Sequence, residues 1–111
     1  MKLARIGNPS KEKPIILDKD NNYRDVSSVI KDFNSENLNF ETLEKLNNIK
    51  PEDLPILEKN QRIGACVNNP SKFLGIGLNF KDHATGHNLP IPKEPIIFSK
   101  FTNCITGPND N

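Results

Sequence analysis

Prolines cut this sequence into short segments, and their placement limits it to short helices and short strands. Of the 111 residues, 9 are proline. Proline lacks a backbone N–H and disfavours a helical residue before it, so each one closes or redirects an element. Pro51 and Pro55 stop the helical readings that reach them, and Pro90, Pro92 and Pro95 impose a rigid extended stretch. The longest helix left is Phe40 to Ile49. Asn39 supplies its N-cap, and Leu43, Leu46 and Ile49 share one face at three-residue spacing.

Around that helix the chain reads as α+β. Lys2 to Gly7 predicts a short strand closed by the turn Gly7-Asn8-Pro9. Pro14 to Asp18, with Ile15, Ile16 and Leu17, predicts a buried strand, and Tyr23 to Val26 its hairpin partner after a polar turn. Ser27 and Ser28 predict the cap of a helix over Val29, Ile30 and Phe33, because a serine oxygen can accept from a free first-turn N–H. Pro51 to Leu54 reads as one helical turn. Past residue 60 the expected elements are a strand at Arg62 to Val67, a turn at Asn68 to Ser71 and a buried strand at Lys72 to Gly77. A helical turn over Asn79 to Ala84 and another buried strand at Ile96 to Phe98 complete the reading.

Composition excludes several classes of function. Lys+Arg 15 against Asp+Glu 14 gives a net charge of +1, too weak a field to argue for nucleic acid or an acidic membrane surface. Met1 to Gly7 lacks the apolar run of a signal peptide, and no stretch approaches the roughly 20 apolar residues of a membrane span. Cys66 and Cys104 are far apart and follow no metal or redox spacing, which predicts reduced core residues in a cytoplasmic protein. The apolar share of 34% stays under the usual globular range of about 45–50% even with the 6 glycines added, a hint of an incomplete core.

Among side chains that carry chemistry, His83 stands out. It follows a glycine-bearing strand in a short polar segment, where mixed folds place reactive groups, and imidazole readily takes or gives a proton near neutral pH. A surface histidine making a local hydrogen bond is the bland alternative. His83 and His87 are four apart, so a helix sets them on one face. That geometry can bind zinc, but no Cys or carboxylate set supplies further ligands. Gly75-x-Gly77 lacks the third glycine of a dinucleotide fingerprint, and neither cysteine has a base near it in sequence.

Three segments in order carry a family resemblance. Phe73-Leu74-Gly75-Ile76-Gly77-Leu78-Asn79-Phe80-Lys81-Asp82-His83-Ala84 is similar to a Gly-x-Asn-Tyr-x-x-His-Ala strand-and-loop motif. Pro92 to Lys100 resembles a Pro-x-x-Pro, Phe-x-Lys segment, and Gly107-Pro108-Asn109-Asp110 a turn leading to a metal-binding strand. All three resemble the fumarylacetoacetate hydrolase (FAH) family, and the chain resembles its branch of bacterial ureidoglycolate lyases and 2-hydroxyhepta-2,4-diene-1,7-dioate isomerases. The resemblance implies a small α+β cap over residues 1–60, followed over residues 61–111 by the opening strands of an incomplete mixed β-roll.

The family's chemistry implies Mg²⁺ or Mn²⁺ held by three carboxylates and acting as a Lewis acid on a small keto, enol or hydroxy carboxylic acid. Lyase, isomerase, hydrolase and decarboxylase reactions all fit. Carried over, His83 is the catalytic histidine of a His-Glu dyad on a closing loop, and Lys100 lies near the site mouth, where an ammonium favours a substrate carboxylate. Asn79 and Phe80 shape the loop. Relatives in this family are commonly dimers.

Two departures qualify the resemblance. The dyad motif reads His-Ala-x-Glu, whereas this chain has His83-Ala84-Thr85-Gly86, with glycine in the glutamate slot. The family's metal ligands, a Glu-x-Glu pair and a later Asp, correspond to no residue of 1–111. Metal binding and turnover by these residues alone are therefore not expected. The competing hypothesis, from a different class, is a truncated non-catalytic remnant or an interaction module.

Overall fold

A computed structural model describes residues 1–111. The chain forms two compact units, residues 1–70 together with 105–111, and residues 71–104.

The first unit is built on a four-stranded antiparallel sheet of β1 (Lys2–Ile6), β2 (Lys13–Leu17), β3 (Tyr23–Asp25) and β4 (Ile56–Leu57), in that spatial order. Its register pairs Leu3 with Ile16 and Ile16 with Arg24. The turn between β2 and β3 is organised by Asp18. Its carboxylate accepts from the backbone N–H groups of Asp20 and Asn22, from the Asn22 side chain and from Arg24 Nε. Asn21 at φ 58° completes the reversal in a conformation asparagine tolerates.

Helix α1 (Phe40–Asn48) begins as the sequence predicts, with the Asn39 side chain accepting from the Thr42 N–H at 2.9 Å. Leu46 is the residue it buries fully, against Ile16, Val26, Ile30 and Phe33. Leu3, Leu38, Ile49 and Leu54 pack at the rim of this cluster. Pro51–Asp53 forms the expected single turn, as a 3₁₀ helix.

Two sequence expectations fail in this unit. The helix over Val29, Ile30 and Phe33 does not form. The N–H groups of Val29 and Ile30 both donate to the Val26 carbonyl, and one turn is all that results. Asp25, not a serine, accepts from the Ser27 N–H. The path then leaves the helix because Asp32 is drawn to Arg5 and the Phe33 carbonyl accepts from the Asn68 N–H at 2.7 Å.

The strand at Arg62 to Val67 is also absent. A single bridge joins Ile6 to Ile63, flanked by Gly7 N–H donating to the Arg62 carbonyl and Gly64 N–H to the Arg5 carbonyl. Gly64 faces the Glu12 carboxylate so closely that a Cβ would lie 2.8 Å from its Oε1. Pairing goes no further, and the Glu12–Arg62 ion pair lies beside the bridge at Gly64.

Those ion pairs form one chain of alternating charge. The Arg5 guanidinium grips Asp32 with Nε at 2.7 Å and Nη2 at 3.1 Å, donates to the Ala65 carbonyl, and reaches Glu12 at 3.4 Å. Glu12 accepts from Arg62 at 2.8 Å, and Arg62 forks onto Asp110 with Nε at 2.7 Å and Nη2 at 2.5 Å. Asp110 also accepts the Gly107 N–H, and Asn68 donates to Asp32. Arg5 is buried, a position arginine rarely takes without partners. No buried side-chain polar atom is left without a partner.

Both cysteines are surface residues with free thiols, which corrects the expectation that they lie in the core. Cys66 lies in the strandless stretch after the Ile6–Ile63 bridge and Cys104 ends a single 3₁₀ turn, and neither place is covered by the core cluster. The Cys66 sulfur sits against the Leu3 carbonyl at 3.5 Å, where partial burial pushes its thiol up and Arg5 only partly offsets that.

The second unit is a β-hairpin of β5 (Phe73–Gly77) and β6 (Ile96–Lys100), antiparallel, with helix α2 (Lys81–Gly86) in the connection. Paired residues share a face, so Phe73, Gly75 and Gly77 lie with Lys100, Phe98 and Ile96. Leu74, Ile76, Ile97 and Ser99 occupy the opposite face, and neither strand is buried as the sequence led one to expect, because a two-stranded sheet has no layer of its own to cover either face. Ala84 is the buried anchor of α2, and its carbonyl accepts the Leu89 N–H.

Two outcomes are expected. Arg5→Met leaves Asp32 and Glu12 short of a buried counter-charge and lowers stability by about 3 kcal/mol, read as a drop in the urea midpoint. The second concerns acid. Burial pushes the Asp18 carboxyl up, but the Asn22 and Arg24 hydrogen bonds and the Asp20 N–H outweigh it and hold it at about 2. Glu12, Asp25 and Asp110 are also lowered. A depressed carboxyl stabilises the fold above its unfolded value of about 4, and that contribution is lost as pH falls toward the folded value. The melting temperature should therefore fall between about pH 4 and pH 2, and less steeply in Asp18→Asn.

Candidate functional site

The site candidate lies where β5 hands over to α2. Gly77 ends the strand, and Leu78 turns the chain at φ 48°, a left-handed conformation that is costly for a bulky side chain. Phe80, with extended backbone, precedes the first turn of α2, and its carbonyl accepts from the His83 and Ala84 N–H groups. Thr85 Oγ1 donates back to the carbonyls of Lys81 and Asp82 at 3.2 Å, tightening this six-residue helix.

His83 projects from α2 into an open cleft of about 510 Å³, lined also by Ile76, Gly77, Leu78, Asn79, Phe80, Ile96 and Phe98. Its walls are mainly apolar, with the imidazole and the Asn79 amide as the polar groups. A second cleft of about 310 Å³ shares the wall Ile76 to Asn79 and is closed on its other side by Ile91 to Pro95. The junction Ile76–Asn79 thus separates two concavities, and Leu78 belongs to both.

Gly75 allows the floor to form. A Cβ there would lie within 2.9 Å of three Phe98 ring atoms, so the ring lies flat across the strand only because glycine faces it. The expectation of glycines at points of close approach is met by this pair.

Lys100 does not line the cleft. It shares the strand face of Ile96 and Phe98 but stands four residues from Ile96, about 13 Å along the strand. Its ammonium lies over the Phe73 ring at 5.5 Å and the Phe98 ring at 5.8 Å, in cation–π contact with both.

No carboxylate hydrogen-bonds the His83 ring. Its ring neighbour is His87, 4.9 Å away between centroids and tilted by 60°. Gly86, in the slot where the resembling motif carries glutamate, has nothing within 4 Å of a Cβ position, so a larger side chain would enter open space. Sequence reasoning passed over Leu78, because nothing in its residue type signals a left-handed backbone. Nor did it find the Arg5–Arg62 ion-pair chain, whose members lie up to 50 residues apart in contact.

No protein-family profile matches the chain. Over 110 residues, 99% of this chain, it is 48% identical to a curated protein of Burkholderia cenocepacia, and 47% identical to one each of Burkholderia multivorans and Burkholderia lata. All three carry only the provisional name of hydrolase. The chain spans 39% of the length of these relatives. No helix is long and apolar enough to cross a membrane.

Gly75→Ala should force the Phe98 ring off the strand and cost about 1–3 kcal/mol, as overpacking does. Faster amide exchange in β5 is the readout. In a Phe98→Ala background the same substitution should be nearly neutral, which isolates the contact.

Proposed function

We propose that this chain is the N-terminal part of an FAH-family enzyme acting on a small keto, enol or hydroxy acid, within its lyase, isomerase and hydrolase range. The observation that carries this reading is the placement of His83. A strained strand-to-helix junction presents its imidazole to a mainly apolar cleft, and the flanking motif resembles the family's catalytic loop. Similarity to relatives provisionally named hydrolases supports an enzyme at the coarser level.

In this reading His83 moves the proton. An imidazole at the edge of an apolar cleft can take a proton from a bound acid or water and return it to the product, the work of a general base and acid. Lys100 acts at longer range. Held over two aromatic rings, its ammonium adds positive charge to the strand face that leads into the cleft and favours an anionic substrate.

The Mg²⁺ or Mn²⁺ implied by the resemblance does not find its ligands here, since no group of three or more His, Cys, Asp or Glu side chains is arranged to hold an ion. No step is therefore assigned to it in these residues. A β-roll completing the hairpin, a cap formed by residues 1–60, cytoplasmic location and a dimeric enzyme belong to the same proposal.

The decisive experiment reads the source DNA past codon 111. The expected result is an open frame that continues into a strand carrying Glu-x-Glu. A stop codon at that point in independent reads overturns the enzyme reading and favours a non-catalytic remnant. In the protein so encoded, His83→Gln should lower kcat by roughly 10²–10⁴-fold. Gly86→Glu, which enters open space, should raise turnover if a carboxylate beside His83 improves its basicity.

A further inference from the structure

The geometry points to a transition-metal site made by His83 and His87, a pair that the proposed function uses only in part. Both side chains are exposed, and their rings lie tilted against each other across the turn that runs from α2 into its C-cap residue His87. A zinc ion sits about 2.0–2.1 Å from each imidazole nitrogen, which at a tetrahedral angle sets the centres of two rings sharing it roughly 5–5.5 Å apart. The observed separation is 4.9 Å, just short of that range, so a small ring rotation brings the two into it. Residues four apart on a helix are neighbours, so the backbone already holds the two ligands on one face.

The surroundings fit a small, hydrated cation. Both rings are exposed, so water can occupy the remaining coordination positions. No hydrogen bond to either ring competes for its nitrogens. Neutral imidazole suits Zn²⁺, Ni²⁺ and Cu²⁺, whereas Mg²⁺ prefers oxygen donors, so the class of ion differs from the one the family resemblance implies. Two protein ligands make an open site rather than a closed structural one. An ion held there occupies a ring nitrogen of His83 and competes with any proton it would move.

The test is calorimetric titration of ZnCl₂ into the full chain carrying Cys66→Ser and Cys104→Ser, which removes the exposed thiols as rival ligands. Saturable binding of one zinc per chain is expected, weakened roughly tenfold or more by His87→Gln and equally by His83→Gln. As a second readout, the ring protons of both histidines should shift together on zinc addition in the NMR spectrum. Undiminished affinity in His87→Gln, or no saturable binding in the parent, overturns the site. Neither result depends on catalysis, so the outcome is independent of the enzyme reading.

Discussion

The chain of charges from Asp32 through Arg5, Glu12 and Arg62 to Asp110 is the constraint on which the first unit depends. A small sheet of short strands, with a core centred on Ile16, Val26, Ile30, Phe33 and Leu46, has few apolar contacts to spare. Arg5 and Arg62 do what a larger core would otherwise do. They tie β1, the turn at Glu12, the segment at Asp32, the strandless stretch at 62–68 and residues 107–110 into one structure. Two guanidiniums against three carboxylates leave each buried charge partnered, and backbone carbonyls at Gly7 and Ala65 take up donors that remain. The cost is specificity of a demanding kind, because removing one member strands another in a poorly solvated place.

The hairpin unit obeys a different logic. Its two strands have exposed apolar side chains on both faces, among them Leu74, Ile97 and Phe98, and an isolated hairpin is marginal in water. What holds its geometry is local. Phe98 lies across Gly75, Lys100 covers Phe98 and Phe73, and Ala84 pins α2. Against that modest background the left-handed Leu78 is notable, since strain of this sort persists only where the surroundings impose it. It occurs at the one junction that forms a wall of both clefts.

The substitution of glycine at position 86 gives the site its particular character. With glycine, the nearest side chain to His83 that bears on its chemistry is a second imidazole. The turn from α2 into its C-cap carries two imidazoles, which is why one pair of residues can be read both as proton-transfer chemistry and as metal chemistry.

Local features were legible in the sequence where residue type alone decides the backbone. The Asn39 cap and the Pro51 stop bound α1, the Asp18–Asn22 run makes the turn, and Gly75 marks a close approach. The position of His83 just beyond a strand was legible for the same reason. The supposed helix after Ser27 and the strand at Arg62 to Val67 were not, because there the decisive partners are distant. Arg5 takes Asp32, Asn68 takes the Phe33 carbonyl, and both override local propensity. The sequence by itself therefore determined the short elements and the residue types offered for chemistry, through capping, proline stops and glycine spacing. Only the tertiary structure decided which charges meet, because those contacts join residues far apart in the chain, whereas His83 and His87 meet within a single turn.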